Sequence, residues 1–312
     1  MHKLPVITNS ELKCLRRCIR EHHYRYELRY RANGPEAAPL RFGTLMHELL
    51  EDWWTSKNDE LVVDAELFAK LDVDPFERAR LVAMMTGYHA RWRDDPLEVL
   101  HVEHQFAVPL IDPLSGFSLA WVLAGKIDAV VRDKKGQVWI VEHKTTSENI
   151  EAGAPYWQKL SLDSQLSVYW HAVQELGYAP RGVIYDVLVK PSQKPLKANT
   201  RRDADETPDE YCARLQEVIK ADPDRYYQRG NVVRLSQEVW DAGVDIAQYV
   251  HLLEHANRNE DWPRNPDSCF KFGRPCDYFE VCTGRARLED PEKFHQVDNA
   301  HAELSPSPDT DY

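Results

Sequence analysis

Gly125-Lys126-Ile127-Asp128-Ala129-Val130-Val131 and Val138-Trp139-Ile140-Val141-Glu142-His143-Lys144, joined through Asp133-Lys134-Lys135-Gly136, are the stretch on which the reading of this chain turns. Both runs are rich in β-branched and aromatic residues, and the Asp-Lys-Lys-Gly segment is a turn, so together they read as a hairpin. Its strands are Phe117–Val131 and Gln137–Lys144. Side chains alternate between the faces of a strand, which puts Glu142 and Lys144 on the same side. A hairpin pivoting near Lys135 sets Asp128 opposite Glu142, and cross-strand neighbours stand about 5 Å apart. Two carboxylates that close repel unless one is protonated or a cation sits between them. A hard divalent ion such as Mg2+ or Mn2+, which prefers oxygen ligands, removes the conflict. Lys144 beside it is placed to orient or deprotonate a water, or to neutralise charge on an in-line phosphoryl transition state. A solvated Asp–Lys or Glu–Lys pair would also account for the spacing, although these charges interrupt strands of Ile, Val, Ala and Trp.

On the N-terminal side, Ser10–Tyr30 has no Pro or Gly and reads as a helix with Ser10 near its N-cap. Leu40–Trp54 is a second helix, with Leu45, Leu49 and Trp53 at i, i+4 spacing, and Pro75–Trp92 a third. Glu98–Leu110 is a strand. On the C-terminal side, a helix over Tyr156–Leu176 ends at Gly177, and Val183–Val189 is a buried strand. Pro191–Glu210 is polar, and helices follow at Pro208–Lys220 and Ser236–Asn257. From Glu289 onward seven acids meet one Lys, and Ser305-Pro306-Ser307-Pro308 breaks regular structure, so residues 286–312 are expected to be a disordered acidic tail. The sum is a mixed α/β chain: a helical N-terminal part, a central sheet with a packed helix, and a helical return. With no clean linker, residues 1–285 read as one domain.

The 312 residues carry a net charge of −12 and are 43% hydrophobic, an ordinary globular balance that lacks the basicity of a typical nucleic-acid binder. No apolar run nears the roughly 20 residues that span a bilayer, and no signal segment opens the chain, so a membrane or secreted protein is not expected. The expected compartment is a reducing cytoplasm. There, the six cysteines suggest ligation rather than disulfides, all the more as Cys269, Cys276 and Cys282 cluster. Residues 1–41 hold nine Lys and Arg against four acids, so the acidity lies elsewhere.

Taken in order, G-x-x-x-H (Gly43–His47), G-x-I-D (Gly125–Asp128), E-x-K (Glu142–Lys144) and Q-x-x-x-Y (Gln165–Tyr169) resemble the motifs of the PD-(D/E)XK nuclease superfamily. The similar branch is the RecB-like one, which includes phage-encoded exonucleases and CRISPR-associated nucleases. Ile127 stands where the superfamily name has Pro. The resemblance runs from about Ser10 to Cys282 and implies a restriction-endonuclease-like core, a central mixed sheet flanked by helices. Helical N- and C-terminal additions would be joined by a metal cluster. It further implies that His47, Asp128 and Glu142 bind the divalent metal with the backbone carbonyl of His143. Lys144 would be the catalytic lysine, while Gln165 and Tyr169 would position DNA. Without the resemblance, His47 is an ordinary helical histidine, and Gln165–Tyr169 a packed aromatic with a polar neighbour.

Several RecB-like nucleases hold a [4Fe–4S] cluster through one N-terminal and three C-terminal cysteines. The C-terminal set here is C-x6-C-x5-C at Cys269, Cys276 and Cys282, with a longer first gap than many members show. Four thiolates suit [4Fe–4S] or tetrahedral Zn2+, and zinc comes second because the C-x2–4-C spacing is missing. The fourth ligand is Cys18 or Cys14, with Cys18 preferred for the basic and aromatic residues after it; Cys212 reads as structural. Phosphate contacts are expected from Arg16, Arg17, Arg20 and Arg25, or from Lys194, Lys197, Arg201 and Arg202. Tyr24, Tyr26 and Trp157 are candidates for stacking on unpaired bases. The expected function is exonucleolytic, metal-dependent hydrolysis of DNA, on single strands or ends, in a bacterial or phage-infected cell, alongside recombination or replication proteins. The rivals are a non-catalytic DNA-binding or scaffold protein on a nuclease fold, and a sequence- or structure-specific endonuclease.

Overall fold

A computed structural model of the chain describes residues 4–34, 38–56, 73–161, 163, 165–200, 202–233, 236–271 and 273–304. Its central sheet contains β1 (Val6–Thr8), β3 (Glu98–Ile111), β4 (Ser118–Arg132), β5 (Val138–Thr146), β6 (Pro180–Val189) and β7 (Tyr227–Val232), while β2 (Tyr30–Ala32) lies outside it. The order is β1-β4-β5-β6-β7, with β3 also on β4. Because β3 pairs along almost all of β4, β1 and β5 must share β4's other edge. There β1 runs parallel against Val122–Ala124, and β5 antiparallel against Ala129–Arg132. The β5–β6 pair is parallel and the β6–β7 pair antiparallel, so the sheet is mixed. At the β4–β5 turn Asp133 Oδ1 accepts the backbone N–H groups of Lys135 and Gln137 at 2.8 and 2.9 Å. That turn sets the expected register, Ala129 opposite Val141.

Helices cover both faces of the sheet. On one, Leu12 and Leu15 of α1 (Asn9–Arg17) and Ile19 of α2 (Ile19–His22) are buried against Ile127, Ile140, Val183 and Val187. On the other, Met46, Leu50 and Trp54 of α3 (Ala38–Thr55) join Leu81, Met84 and Tyr88 of α4 (Pro75–Trp92). They cover Val131, Val141, Ile184 and Leu188. The helix expected over 156–176 is two, α5 (Pro155–Ser161) and α6 (Gln165–Glu175). Asp163 between them accepts the Gln165 N–H at 3.0 Å and starts α6 afresh. Leu166, Tyr169 and Val173 of α6 join the first face, as do Ile246, Val250 and Leu253 of α9 (Ser236–Asn259). Before α9 come α7 (Pro208–Ala221), whose Tyr211, Leu215 and Ile219 complete the second face, and the short α8 (Pro223–Tyr226).

Two further expectations are corrected. The helix read over Ser10–Tyr30 is capped by Thr8, whose hydroxyl accepts the Glu11 N–H at 3.2 Å, and it breaks at Cys18, which is extended at φ −164°. Nothing local breaks it. The break is held by C-terminal residues: Asn265 Nδ2 donates to the Arg17 carbonyl at 2.8 Å, and Arg20 Nε to the Trp262 carbonyl at 2.6 Å. After a π-turn at His23–Glu27 the chain enters β2 rather than continuing as helix to Tyr30.

The stretch expected to be a disordered tail from 286 instead folds back, with Phe294–Gln296 pairing antiparallel to β2. Phe294 stacks on Tyr278 at 5.8 Å, and Leu288 and Leu304 are buried. The acidic average hid these apolar anchors; residues 305–312 lie outside the described ones. Lastly, β1 and β7 carried no alternation legible in the sequence; Tyr-Gln-Arg-Gly-Asn-Val of β7 joins the sheet by completing the edge of β6.

Candidate active site

The ladder between β4 and β5 ends at Ala129–Val141, and the next facing residues are Asp128 and Glu142. There Asp128 Oδ2 accepts the backbone N–H of His143 at 2.7 Å, a side chain doing what a strand carbonyl does elsewhere in the ladder. The site therefore sits at the fork where β5 leaves β4. From α3, packed beside the end of β5, His47 Nδ1 comes to 3.6 Å from Asp128 Oδ1. Glu142 is 2% exposed; Oε1 takes the Lys144 ammonium, and Oε2 has no hydrogen-bond partner among the described residues.

The conflict between facing carboxylates is present in the fold. Burial and then the nearby Asp128 charge push Glu142 up to about 7, and these outweigh the pull of Lys144. Burial acts on Asp128 in the same sense, yet His47 and the His143 N–H hold it down to about 2. Burial opposes the Lys144 charge, but Glu142 keeps it above the ordinary lysine value. One carboxylate is thus ionised while its partner is poised to lose a proton near neutrality.

Gln165 and Tyr169 close the site from α6. Gln165 Nε2 donates to Tyr169 Oη at 2.5 Å, and Gln165 Oε1 accepts from Lys144 Nζ at 3.4 Å. The tyrosine ring meets Phe106 edge-on at 6.1 Å. Phe106 lies across from Gly125, where a Cβ would fall 2.8 Å from the ring, so the glycine of G-x-I-D makes room for the aromatic that backs Tyr169. Gly125→Ala is expected to cost about 1–3 kcal/mol by overpacking, measured as a lower urea midpoint. In contrast, a Cβ on Gly43 would meet Thr145 Oγ1 at an ordinary 3.6 Å.

The residues fit a divalent ion. His47, Asp128 and also Glu103 of β3 each offer one ligand atom, all within 4.8 Å of one another; Glu142, which faces Asp128, is not one of that group, and its buried Oε2 has no hydrogen-bond partner among the described residues. Glu103, and the ion pair it makes with Lys126 of β4, went unnoticed in the sequence, because β3 meets β4 through pairing that no local pattern announces. Lys13 of α1 is another such residue; its Nζ lies 3.3 Å from Gln165 Oε1. Divalent-ion affinity is expected to rise as pH increases through about 7, since Glu142 must give up its proton. Calorimetric Mn2+ titrations on either side of that pH check it. In the metal-free protein the same group weakens the fold as pH rises from 4.5 to about 7, where the unfolded chain has already released this proton.

His143 shows two faces. Its carbonyl belongs to the strand between Glu142 and Lys144, while its ring Nδ1 lies 3.3 Å from Asp186 Oδ2 on β6. Asp186 is fully buried, accepts from Tyr88 Oη, and receives Arg229 Nη2 at 3.3 Å. Arg229 also pairs with Asp95 and lies 4.0 Å from the Trp92 ring centroid. The strand bearing the candidate residues is therefore pinned from behind.

The cysteines gather at the other end of α1. Cys18, Cys269, Cys276 and Cys282 line one small cavity together with Glu21, Arg264 and Tyr278, while Cys14 is buried outside that lining. Burial pushes the Cys276 thiol up to about 12 and raises Cys282, so these groups stay protonated unless a bound cation draws the proton off. Cys212 packs against the helical core of the second face.

Several of the other expected DNA contacts already have partners within the protein. Arg17 pairs with Glu21, Arg20 holds the Trp262 carbonyl, and Arg16 lies 5.3 Å from the Tyr249 ring centroid. Lys197 pairs with Asp205 at 2.8 Å and Arg202 with Glu210, Lys194 is exposed, and Arg201 lies outside the described residues. Trp157 donates to the Ile150 carbonyl at 2.9 Å, Tyr24 packs on Tyr278 and Tyr26 on His22, so these aromatics serve packing.

The family model described as the PD-(D/E)XK nuclease superfamily matches residues 6–283. No curated protein matches the chain. A solved structure described as "Crystal structure of SSO0001" is similar at a TM-score of 0.40 and 15% identity, covering 92% of this chain and 90% of that one. No helix among the described residues is long and apolar enough to cross a membrane.

Proposed function

The chain belongs to the PD-(D/E)XK nuclease superfamily, and from the site it builds we propose that it is a RecB-like DNA exonuclease, dependent on Mg2+ or Mn2+, acting on single strands or ends. The observation that carries this reading is the meeting of His47, Asp128, Glu142 and Lys144 at one strand fork, with Gln165 bonded to Lys144 and Tyr169 in turn to Gln165. His47, Asp128, Glu142 and the His143 carbonyl would hold the ion. When bound, it supplies an acidified water and charge stabilisation at the phosphate. Lys144, fixed between Glu142 and Gln165, neutralises charge building on the scissile phosphate and orients the attacking water. Gln165 and Tyr169 position the strand, Lys194 serves as an outer phosphate contact, and Arg16, Arg17, Arg20 and Lys197 join it by exchanging their present partners for phosphate. Digestion of end-labelled single- and double-stranded DNA, linear against circular, tests it with either ion. Release of mononucleotides or short products from linear substrate only is expected; cleavage of closed circles would point to an endonuclease, and no cleavage to a binding protein.

The four cysteines around one cavity support a [4Fe–4S] cluster held by Cys18, Cys269, Cys276 and Cys282, with Zn2+ as the alternative. Joining α1 to the C-terminal return, it acts as a staple between chain ends rather than a redox centre. Anaerobic purification is expected to give a brown protein; a colourless one with bound zinc would overturn the iron assignment. We place the protein in the cytoplasm of a bacterial or phage-infected cell, working beside recombination or replication proteins.

A further inference from the structure

Glu103 is held in a conformation its residue type avoids. Its φ is 47°, in the left-handed region, where non-glycine residues are uncommon and which costs roughly 1 kcal/mol or more. It lies on β3 between Val102, opposite Ala129, and His104, opposite Ile127, which makes Asp128 its neighbour across the strands. A register shift between Val99 and His101 precedes it. The outcome is a carboxylate 9% exposed, within 4.8 Å of ligand atoms from both His47 and Asp128. Beside them, Glu142 keeps a buried oxygen without a partner among the described residues. The Glu103 charge is met by Lys126, two residues before Asp128 on β4, whose side chain is still 37% exposed.

Backbone strain that delivers an acid to an acidic centre needs a cation to make it worthwhile, and among the described residues Glu103 meets the Lys126 ammonium, carried on a flexible, partly exposed stem. Resting on the metal-centre reading above, we infer that Glu103 is a further carboxylate ligand of the divalent ion and that Lys126 is its placeholder. The ion, doubly charged and oxygen-seeking, takes Glu103 from Lys126; the displaced ammonium swings towards solvent, where a DNA phosphate can take it. In the metal-free protein Lys126 prevents repulsion among the acids, so the two cations compete for one carboxylate.

Competition and a plain structural ion pair differ in sign. Mn2+ titrated calorimetrically into the full chain is expected to bind on the order of tenfold more weakly to Glu103→Gln. Lys126→Met, which removes the competitor, is expected to bind Mn2+ several-fold more tightly than the unaltered protein. Circular dichroism establishes that each variant is folded, and should Glu103→Gln fail to fold, Lys126→Met alone decides. A structural pair leaves Mn2+ affinity unchanged in both variants, or weakened in Lys126→Met, and either result overturns the inference. Asp128→Asn separates the two layers. Loss of Mn2+ binding there, with Glu103→Gln unaffected, sinks only the role of Glu103; persistence of binding in Asp128→Asn sinks the metal centre and this inference with it.

Discussion

Glu142→Ala and Lys144→Ala are each expected to slow DNA hydrolysis by roughly 10²–10⁴-fold, read as initial rates on end-labelled DNA with Mg2+ or Mn2+. The two losses have different origins. Glu142 supplies a buried oxygen facing Asp128, so its removal takes away ion affinity, and Mn2+ binding should fall along with the rate. Lys144 holds no ion. Its ammonium sits between Glu142 and Gln165, and its loss should leave Mn2+ binding intact while the rate collapses. A conservative Lys144→Arg keeps the charge but not the compact point donor, so it should recover little. Rates matching the unaltered protein in both alanine variants would remove these residues from the reaction.

The largest effect on stability is expected from Arg229→Met, a loss of about 3–5 kcal/mol. Asp186 is entirely enclosed, and Arg229 Nη2 and Nε reach its two oxygens at 3.3 and 3.2 Å. Burial alone would raise the Asp186 pKa; Arg229, with His143 and Tyr88, holds it far below the ordinary 3.8. Without the guanidinium a buried charge is left uncompensated, or the carboxyl takes up a proton at a pH where water would keep it ionised. The sign with pH follows. This stabilisation is complete above the unfolded value of 3.8 and disappears as pH falls towards the depressed folded one. Urea midpoints compared at neutral and acid pH measure it: the gap between Arg229→Met and the unaltered protein should narrow in acid. Because His143 hangs from Asp186, the variant should also lose nuclease activity at temperatures where it remains folded. An unchanged midpoint at neutral pH would show that the network does not stabilise the fold.

Much of the core was legible because it is local. The Asp133–Gly136 turn fixes the β4–β5 register through hydrogen bonds within five residues, so the facing of Asp128 and Glu142 follows from the sequence alone. Helix α4 was readable to its ends because Asp74 caps it and Pro75 opens it. The spacing of Gln165 and Tyr169 likewise became a hydrogen bond across one helical turn.

Where partners lie far apart in the chain, local patterns carried no signal. The break at Cys18 depends on Trp262 and Asn265, more than 240 positions away, and an uninterrupted helical pattern runs straight through it. Glu103 and Lys13 entered the site only through strand pairing and helix packing, and Asp186–Arg229 through two strand registers in succession. The return of Phe294 to β2 was masked by an acidic composition, since averages register charge but not three well-placed apolar anchors. The sequence by itself determined the hairpin, its facing carboxylates and the lysine beside them, because turn chemistry and strand alternation act within a few residues. The tertiary structure decided which further charges reach that hairpin and what pins it from behind, because long-range pairing and burial place groups whose own neighbours in the chain say nothing of where they meet.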